Sequence, residues 1–491
     1  MRSGRPGSEV LVQSKGTEPS LCIIYTFVCM ENLIRSQREY FTAGHTRSAK
    51  SRKQALSKLY HLLLLNEKML CEAIYKDFKK PEFVTIENEL SLPYGEINHA
   101  IRKLRSWSRA RYARTNLVNF PAGTRILPVP YGVTLVIGPW NYPYMLSLIP
   151  VISALAAGNT VILKPSEVTA HASRAMATLI NGNFPEGLLR VVEGGVEETS
   201  QLLGQRFDKI FFTGSTRVGR IVMKAAAEHL TPVTLELGGK NPAIVMPDCN
   251  LKRAARRLTW GKYHNNGMAC VSPDHVYVHR SIIEEFTEEV IKNIPSIFGD
   301  DPRESPVLPR MVNRKEFDRV ISLIDPGKVA IGGKSDPEAL YIEPTVMDGV
   351  TERDPVMREE VFGPVMSLIS YSDLEQLGRD LKRKPAPLML YIFTGNPRKA
   401  RKMMREIPSG GGMINDVVLQ FINMDSPFGG VGESGMGSYH GKAGFDTFSN
   451  RKTVMHKYNW FELYLKYPPY RKSRLRLYRA VLGRSFRNLF R

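Results

Sequence analysis

One cysteine follows a stretch of amide-bearing and small residues, Asn-Asn-Gly-Met-Ala-Cys at residues 265–270. Upstream, residues 235–240 (Leu-Glu-Leu-Gly-Gly-Lys) place the carboxylate of Glu236 beside two glycines. Cysteine is a soft nucleophile, and a carboxylate can act as a general base. Cys270 and Glu236 together therefore predict covalent catalysis, in which the cysteine attacks an electrophilic carbon and the glutamate removes a proton.

Asn141 could supply a third catalytic group. It follows a short apolar run at residues 133–137, which is typical of a buried strand, and a Gly-Pro pair that stops the run. A side-chain amide can donate a hydrogen bond to a developing oxyanion, a contribution of roughly 3–4 kcal/mol in such sites. The alternative is that Asn141 only caps the next turn.

Two further segments have the composition of a nucleotide site. Residues 210–219 predict a strand, a glycine turn and a helix, and a helix N-terminus with close access attracts a pyrophosphate. The candidate contacts at that turn are Gly214, Ser215, Thr216 and Gly219. Lys164 and Glu167 follow another apolar run and could contact ribose hydroxyls, since ligands collect at the carboxyl ends of parallel strands. The alternatives are a structural turn and an exposed strand-end pair.

A different glycine-rich stretch is a misleading match. Residues 430–435 (Gly-Val-Gly-Glu-Ser-Gly) fit the dinucleotide pattern G-x-G-x-x-G. That pattern requires a strand before it and a helix after it, whereas Ser-Pro-Phe precedes this stretch and Met-Gly follows it. We therefore do not interpret it as a phosphate-binding loop.

The elements that must position these groups predict an α/β fold. An apolar strand at 133–137, an apolar helix at 147–157 and a strand at 160–163 form a βαβ unit, with Gly158 as the left-handed helix stop. Such units build a parallel sheet with helices on its faces. Residues 116–128 predict a hairpin, and a second α/β segment begins after Lys240.

Chain length, cysteine content and net charge limit the class of protein to which the chain can belong. A chain of 491 residues exceeds what one core usually serves, so two or more domains are expected. The five cysteines are scattered, without paired metal spacing, which favours a reducing compartment and no metal site. The net charge of +20 is concentrated after Pro469, and no nucleic-acid-binding motif accompanies it.

The two termini carry their own signals. Residues 21–30 are apolar but short, and we interpret residues 1–30 as a dispensable extension, with a secretory signal as the alternative. In the tail, apolar residues recur at helical spacing among arginines, namely Leu475, Tyr478, Leu482, Phe486 and Leu489. A basic amphipathic helix is typical of peripheral membrane binding. The alternative is a helix that packs on the body or on a second subunit.

Seven motifs in order give the chain a family resemblance. They lie at residues 139–143, 164–167, 212–219, 235–240, 270, 359–364 and 427–441. With them the chain resembles the aldehyde dehydrogenase superfamily, and within it the class 3 enzymes, over about residues 31–455. The resemblance implies a Rossmann-type parallel sheet for the nucleotide, a second α/β catalytic domain and a small oligomerisation element.

The resemblance also implies domain limits and partners. Residues 31–236 would bind NAD(P), with a bridging hairpin at 111–130, and residues 237–416 would form the catalytic domain. Residues 417–455 would bridge to a second subunit of a homodimer, and 456–491 would form the basic tail. The expected cofactor is NAD, with NADP possible. The expected substrate is a medium- to long-chain or lipid-derived aldehyde, and the expected location is cytoplasmic, at the face of a membrane.

Residue roles carry over in the same way. Cys270 would attack the aldehyde carbon, while Asn141 and the Cys270 backbone N–H would hold the oxyanion of a thiohemiacetal. Hydride transfer would leave a thioester, and Glu236 would activate the water that releases the acid. Glu360 would hold the nicotinamide ribose and Phe362 would pack near the nicotinamide ring. Lys164 and Glu167 would face the adenosine ribose.

One departure from the family pattern keeps two alternatives open. Family members usually carry Gln and then Thr or Ser before the cysteine, where this chain has Met268 and Ala269. Lost polar groups could alter the thiol, so a catalytically weak, membrane-associated scaffold is one alternative. A cysteine thioesterase or hydrolase that uses His264 or His275 is the other. We interpret Cys249 as structural.

Overall fold

The structure is a computed structural model that describes residues 19–116, 119–462, 467–477 and 479–480, with side chains from residue 30 onward. The α-helices are α1 (Pro19–Thr42), α2 (Ala49–Leu65), α3 (Glu67–Phe78), α4 (Glu82–Thr85), α5 (Ser91–Trp107), α6 (Met145–Ala157), α7 (Ala170–Asn181), α8 (Val196–Leu203), α9 (Thr216–Glu228), α10 (Leu251–Tyr263), α11 (Ile283–Phe298), α12 (Arg314–Ile321), α13 (Leu374–Arg383), α14 (Pro397–Glu406) and α15 (Gly441–Thr447).

The strands are β1 (Arg111–Ala113), β2 (Ala122–Pro130), β3 (Val133–Ile137), β4 (Thr160–Lys164), β5 (Leu189–Val191), β6 (Lys209–Gly214), β7 (Val233–Leu237), β8 (Pro242–Val245), β9 (His275–His279), β10 (Val329–Ile331), β11 (Ser335–Asp336), β12 (Tyr341–Ile342), β13 (Thr345–Met347), β14 (Val365–Tyr371), β15 (Met389–Phe393), β16 (Gly411–Ile414), β17 (Gly435–Met436) and β18 (Ser449–Lys457).

The first large sheet has the strand order β17-β7-β6-β3-β4-β5. Its strands are parallel except β17, which pairs antiparallel with β7. The chain runs outward from β3 to β4 and β5, then returns to place β6 on the other side of β3. This reversal makes the gap between β3 and β6 a topological switch point, where open α/β sheets bind their ligands.

The predicted βαβ unit at the centre of this sheet is confirmed. All residues of β3 and β4 are buried, and so are all residues of α6 between them. A helix and strands that are apolar on every side belong in the middle of a layered α/β core. Gly158 ends α6 with φ of 99°, the left-handed conformation that glycine adopts without steric cost.

The second large sheet has the order β10-β13-β14-β9-β8-β15-β16. It is parallel apart from β10. The chain passes from the first sheet to the second through residues 238–241, which link β7 directly to β8. Consequently the carboxyl edge of the first sheet and the amino edge of the second meet at this crossing.

A small sheet of β1, β2 and β18 contains the predicted hairpin, with one correction. β1 pairs with β2 antiparallel, but it lies at residues 111–113 and not within 116–128. The upstream half of the predicted hairpin ends at Pro121, and proline has no amide hydrogen to donate to a neighbouring strand. The chain divides into two compact units, residues 1–108 with 128–450, and residues 109–127 with 451–491. The finer domain limits given above remain a prediction.

The terminal predictions are only partly covered by the described residues. α1 begins at Pro19, inside the predicted extension, while residues 1–18 lie outside the described part of the chain. In the tail, residues 472–477 and 479–480 are helical, but Tyr478, Leu482, Phe486 and Leu489 of the predicted apolar face lie outside it. Among the described helices, none combines the length and apolar character that crossing a bilayer requires.

Candidate active site

Four strands of the first sheet deliver predicted site residues to one edge. At their carboxyl ends, β7 carries Glu236, β6 leads to Ser215, β3 leads to Asn141, and β4 ends at Lys164. The strands lie side by side in the order β7-β6-β3-β4. The sheet thus brings together residues that are far apart in sequence, around the switch point between β3 and β6.

The loop before Cys270 has an unusual backbone. Asn265, Asn266 and Gly267 have φ of 50°, 56° and 73°, so three consecutive residues are left-handed. This conformation costs an ordinary residue roughly 1–2 kcal/mol, and asparagine and glycine are the residues that adopt it most readily. A methyl group at Gly267 would also lie 2.2 Å from the carbonyl oxygen of Gly363. The Asn-Asn-Gly run is therefore what permits this turn.

Asparagine amides hold the turn against the β3 loop. Asn265 Nδ2 donates to the carbonyl oxygens of Asn141 and Met268, both at 3.1 Å, and Asn141 Nδ2 donates to Met268 at 3.0 Å. An amide NH2 has two hydrogens, so Asn141 retains one for an oxyanion. The capping alternative for Asn141 is wrong, because α6 begins after Tyr144 without a side-chain cap.

The two residues that depart from the family pattern pack in the core. Met268 and Ala269 are 0% and 2% exposed and belong to the main hydrophobic cluster. Their side chains therefore add apolar packing beneath the cysteine loop.

The Cys270 thiol is in an electrostatically unfavourable place for a thiolate. Its side chain is half-buried, and burial raises its pKa to about 12, with the charges of Glu360 and Glu236 adding to the effect. Hydrogen bonds from the backbone N–H groups of Cys270 and Val271 act in the opposite direction and lower the pKa. Both carboxyl groups therefore act against ionisation of the thiol.

Glu236 is a buried carboxyl group without a hydrogen-bonding partner among the described residues. It is 4% exposed, and neither carboxyl oxygen is hydrogen-bonded within the described chain. Burial raises its pKa well above the ordinary value. A poorly solvated carboxylate is a stronger base than one in water, which suits a group that must take a proton from a water molecule.

The predicted pyrophosphate turn has the expected geometry. Ser215 is the N-cap of α9, and its hydroxyl accepts from the N–H of Val218 at 3.4 Å. A methyl group at Gly219 would lie 2.8 Å from Leu237, so glycine allows α9 to pack closely on the sheet. Gly214 ends β6, and Thr216 Oγ1 donates to the carbonyl oxygen of Glu433 at 3.0 Å.

Lys164 and Glu167 lie together at the end of β4. Lys164 is buried, its Nζ donates to the carbonyl oxygen of Pro165 at 2.7 Å, and it lies 3.7 Å from a carboxyl oxygen of Glu167. Desolvation lowers the pKa of Lys164. Because Glu167 is half exposed, its carboxylate keeps capacity to accept from a ligand hydroxyl.

Glu360 and Phe362 lie just before β14, at the amino edge of the second sheet. A methyl group at Gly238 would clash with the carboxyl group of Glu360, so the glycine lets that carboxyl approach the β7–β8 crossing in its present position. Burial raises the pKa of Glu360 to about 8. Phe362 has φ of 45°, and its ring meets Trp140 edge-on at 5.3 Å between centroids.

The rejected G-x-G-x-x-G stretch forms a tight turn beside Glu236. Gly435 in β17 pairs with Glu236 in β7, and a methyl group at Gly430 would lie 1.9 Å from the carbonyl oxygen of Ser434. The glycines here allow backbone segments to pack against each other, and α15 begins only at Gly441. This structural role next to Glu236 was not predicted from the sequence.

A cavity of about 210 Å³ lies next to the asparagine turn. Most of its lining is apolar, namely Leu92, Met145, Trp260, Val418, Leu419, Phe421, Ile422 and Met424. Its polar lining residues are Glu87, Asn88, Ser91 and His264. Met145 begins α6 just after the Asn141 loop and His264 adjoins Asn265 in sequence, whereas Cys270, Glu236 and Asn141 do not themselves line this cavity.

The histidines flanking Cys270 have other environments. Burial and the charge of Lys80 lower the pKa of His264 to about 4, and its ring packs on Trp260. His275 Nδ1 lies 3.1 Å from Asp274. Within the described chain neither imidazole is hydrogen-bonded to the thiol, so the arrangement differs from a cysteine–histidine pair.

Three polar residues of the site were not predicted. Lys240, Asn241 and Asp274 lie between the first and second sheets and are hydrogen-bonded to the loops of Cys270 and Glu360. Each adjoins a motif that the sequence does reveal. Their contacts, however, join residues distant along the chain and have no periodic signal.

Comparisons with known proteins agree with this geometry. The model of the aldehyde dehydrogenase family matches residues 27–454. Aldehyde dehydrogenase family 3 member B1 of Homo sapiens is 42% identical over 90% of this chain and 95% of its own length. The dimeric NADP-preferring aldehyde dehydrogenase of Rattus norvegicus is 42% identical over 87% and 94%.

A solved structure extends the agreement to the fold. The substrate-bound state of Staphylococcus aureus AldH matches with a TM-score of 0.90 and 38% identity, over 92% of this chain and 99% of the other. The family model, the relatives and the fold thus agree with one another. The chain belongs to the aldehyde dehydrogenase family and is an oxidoreductase that oxidises aldehydes.

Proposed function

We propose that the protein is an NAD(P)-dependent dehydrogenase that converts medium- to long-chain or lipid-derived aldehydes to carboxylic acids through a thioester on Cys270. The observations that support the chemistry are the bond from the Asn141 amide to Met268 in the Cys270 loop, and the buried carboxyl of Glu236 at the end of β7, which has no partner among the described residues. The resemblance of the motifs supports the individual roles.

The side chains support two half-reactions. Glu236 accepts the thiol proton of Cys270 and passes it to solvent, the sulfur bonds to the aldehyde carbon, and the carbonyl oxygen becomes an oxyanion that the second N–H of Asn141 and the Cys270 backbone N–H can stabilise. When bound, the nicotinamide cofactor accepts the hydride that leaves this carbon. Glu236 then removes a proton from water, the resulting hydroxide attacks the thioester carbonyl, and the carbon–sulfur bond breaks to release acid and thiol.

The residues present fit a nicotinamide dinucleotide. The capped N-terminus of α9 suits the pyrophosphate, and Lys164 with Glu167 suits the adenosine ribose at the end of the neighbouring strand. Glu360 would hold the nicotinamide ribose and Phe362 would lie near the ring. The negative charge of Glu167 favours NAD over a 2′-phosphate, although one relative is named as NADP-preferring.

The cavity supports an apolar substrate. Its apolar lining favours an alkyl or aryl group over a charged one, because burying apolar surface yields about 25 cal/mol per Å². His264 on its wall is neutral at pH 7, since burial and Lys80 hold its pKa at about 4. A hydrocarbon chain attached to the reacting carbonyl is the ligand that best fits such a wall.

The experiment is cofactor reduction with straight-chain aldehydes of increasing length. We expect kcat/KM to rise with each methylene as long as the chain stays within the cavity. Cys270→Ser should remove the activity while leaving cofactor binding intact, because a hydroxyl is a weak nucleophile here. Cys249→Ser is the matched control and should retain activity. Equal kcat/KM for acetaldehyde and octanal would refute the substrate class, and activity in Cys270→Ser would refute the chemistry.

Glu236→Gln separates the two half-reactions. Only release of the acid needs an activated water, so the variant should show a burst of reduced cofactor followed by slow turnover. The measurement is stopped-flow absorbance of the reduced cofactor. A steady-state rate equal to that of the unaltered enzyme would remove Glu236 from the mechanism.

We also propose that the basic tail holds the protein on an anionic membrane surface. Residues 472–477 are helical, and Leu475 and Leu477 are about half exposed among arginines. Each basic residue near such a surface contributes about 1 kcal/mol, and salt screens it. A homodimer is the proposed assembly, in line with the relative that is named as dimeric.

Removing the residues after Pro469 tests the tail. The truncated protein should no longer sediment with phosphatidylserine vesicles, and it should still oxidise short aldehydes. As a matched control, Arg398→Gln with Lys399→Gln lowers the net charge on exposed α14 and should leave sedimentation unchanged. Equal sedimentation of full-length and truncated protein would favour packing of the tail on the body or on a second subunit.

A further inference from the structure

Asn241 fixes the peptide of the nucleophile. Its side chain is fully buried, and Nδ2 donates to the carbonyl oxygens of Cys270 at 2.7 Å and Ser272 at 3.0 Å. Oδ1 accepts from the N–H of Met389 at 2.8 Å. Both ends of this amide are therefore committed, and the Cys270 loop is tied to the start of β8 and β15.

Lys240 and Asp274 fix a second segment. Lys240 Nζ donates to Asp274 and to the carbonyl oxygens of Val356 at 2.9 Å and Glu359 at 2.8 Å. Asp274 Oδ1 accepts from the N–H of Val361 at 2.8 Å. Asp274 is buried and Lys240 mostly buried, so these charge-assisted bonds are protected from water.

The two sets of contacts form one unit. Glu360 lies between the peptide groups of Glu359 and Val361, which the ion pair holds on both sides. The N–H of Asp274 donates to the carbonyl oxygen of Asn241 at 2.9 Å, and Asn241 follows Lys240 directly. The nucleophile loop and the Glu360 segment are thus attached to the same two residues of the β7–β8 crossing.

We propose that Lys240, Asn241 and Asp274 are positioning residues that set the Cys270 loop at a fixed distance from Glu360, the residue that would hold the nicotinamide ribose. This inference rests on the proposed function. Asn241 acts on the nucleophile, whereas Asp274 and Lys240 act on the residue that holds the cofactor. Loss of the Asn241 contacts should therefore affect the acylation rate, whereas loss of the Asp274 or Lys240 charge should affect NAD affinity. A purely structural role would not separate these two effects.

The charged groups around Glu360 provide a measurable readout, which is the pH dependence of cofactor binding. Burial and the negative charge of Asp274 raise its pKa to about 8, while the N–H of Gly239 and the charges of Lys240 and Lys262 lower it. An ionised carboxylate accepts hydrogen bonds from ribose hydroxyls more strongly than a neutral one. Cofactor affinity should therefore rise as the pH rises through about 8.

The experiment measures NAD affinity from pH 6.5 to 9.5 by isothermal titration calorimetry. Asp274→Asn removes a negative neighbour and should move the midpoint of the affinity profile to lower pH. Lys240→Gln removes a positive neighbour and should move it to higher pH. Asn241→Asp should leave Kd for NAD within twofold and lower the rate of the acylation burst at least tenfold, because it releases the Cys270 carbonyl.

Asn159→Asp is the matched control. Asn159 is also fully buried, with Nδ2 donating to Ala154 at 3.1 Å and Phe448 at 2.9 Å, and Oδ1 accepting from Gly132 at 3.0 Å. It loses the same kind of contacts as Asn241→Asp, but away from the site. After correction for any unfolded protein, the NAD affinity and the burst rate of Asn159→Asp should equal those of the unaltered protein.

The possible results are distinct. Opposite shifts of the two midpoints, with a slow burst only in Asn241→Asp, support the inference. Shifts in one direction, no shifts, or a burst equally slow in Asn159→Asp overturn it. Should Asp274→Asn not fold, the direction of the shift in Lys240→Gln decides alone, because that side chain is 22% exposed. Failure of the unaltered protein to bind NAD or NADP would instead refute the proposed function.

Discussion

The reactivity of Cys270 should depend steeply on pH. Its pKa is raised from an ordinary 9.0 to about 12, mainly by burial and then by Glu360 and Glu236. A shift of three units lowers the thiolate fraction about a thousandfold at neutral pH. Because alkylation requires the thiolate, we expect iodoacetamide to react with Cys270 about tenfold faster per pH unit between pH 7 and 10. The slope should be shallower near pH 8, where Glu360 itself becomes charged.

Removing the negative charges tests the cause. Glu360→Gln should lower the pKa of the thiol and speed alkylation at a fixed pH of 9.5, and Glu236→Gln should do so by less. Glu359→Gln is the control, because this neighbouring carboxylate is half exposed and paired with Arg319. Peptide-resolved mass spectrometry separates Cys270 from the other thiols. A rate that reaches a plateau below pH 9, or slower alkylation in Glu360→Gln, would refute the reasoning.

Three further predictions concern stability. Lys80→Met leaves the fully buried carboxyl of Glu89 without its ion pair at 2.7 Å, so urea unfolding should show a loss of about 3–5 kcal/mol, and adding Glu89→Gln should restore part of it, because the neutral amide oxygen still accepts from the N–H groups of Tyr144 and Met145. Ser215→Ala removes the α9 cap and should cost about 1 kcal/mol in the same assay, whereas no change would mean the cap is unused. Gly267→Ala adds a side chain to a left-handed residue against Gly363, and thermal unfolding should show a clear loss, which normal stability would contradict.

The central sheet was accessible from sequence because its signals are local. Buried strands read as continuous apolar runs, and Gly158 marks the end of α6 through its own conformational freedom. Cys270, Glu236 and Asn141 could be proposed from the sequence because each carries its chemistry in a single side chain, next to glycines or prolines that shape the backbone, and their catalytic roles stay a prediction. The types of neighbouring residues were sufficient to predict the central sheet and to propose these candidate residues.

Contacts between distant parts of the chain were not accessible in the same way. The bond from Asn241 to Cys270 joins residues 29 apart, and the bond from Lys240 to Glu359 joins residues 119 apart. Neither leaves a periodic pattern, because each depends on how two strands come to lie side by side. The first strand of the small hairpin was misplaced for a related reason, since its position depends on pairing with β2 and not on its own composition.

The short crossing from β7 to β8 also has a mechanical consequence. Residues 238–241 lie between Glu236 and the strand start that anchors the Cys270 loop. Four residues span at most about 14 Å when fully extended, so the covalent chain alone limits how far Glu236 and that strand can separate. The spacing of the two sheets at this point is therefore a property of chain connectivity as well as of packing.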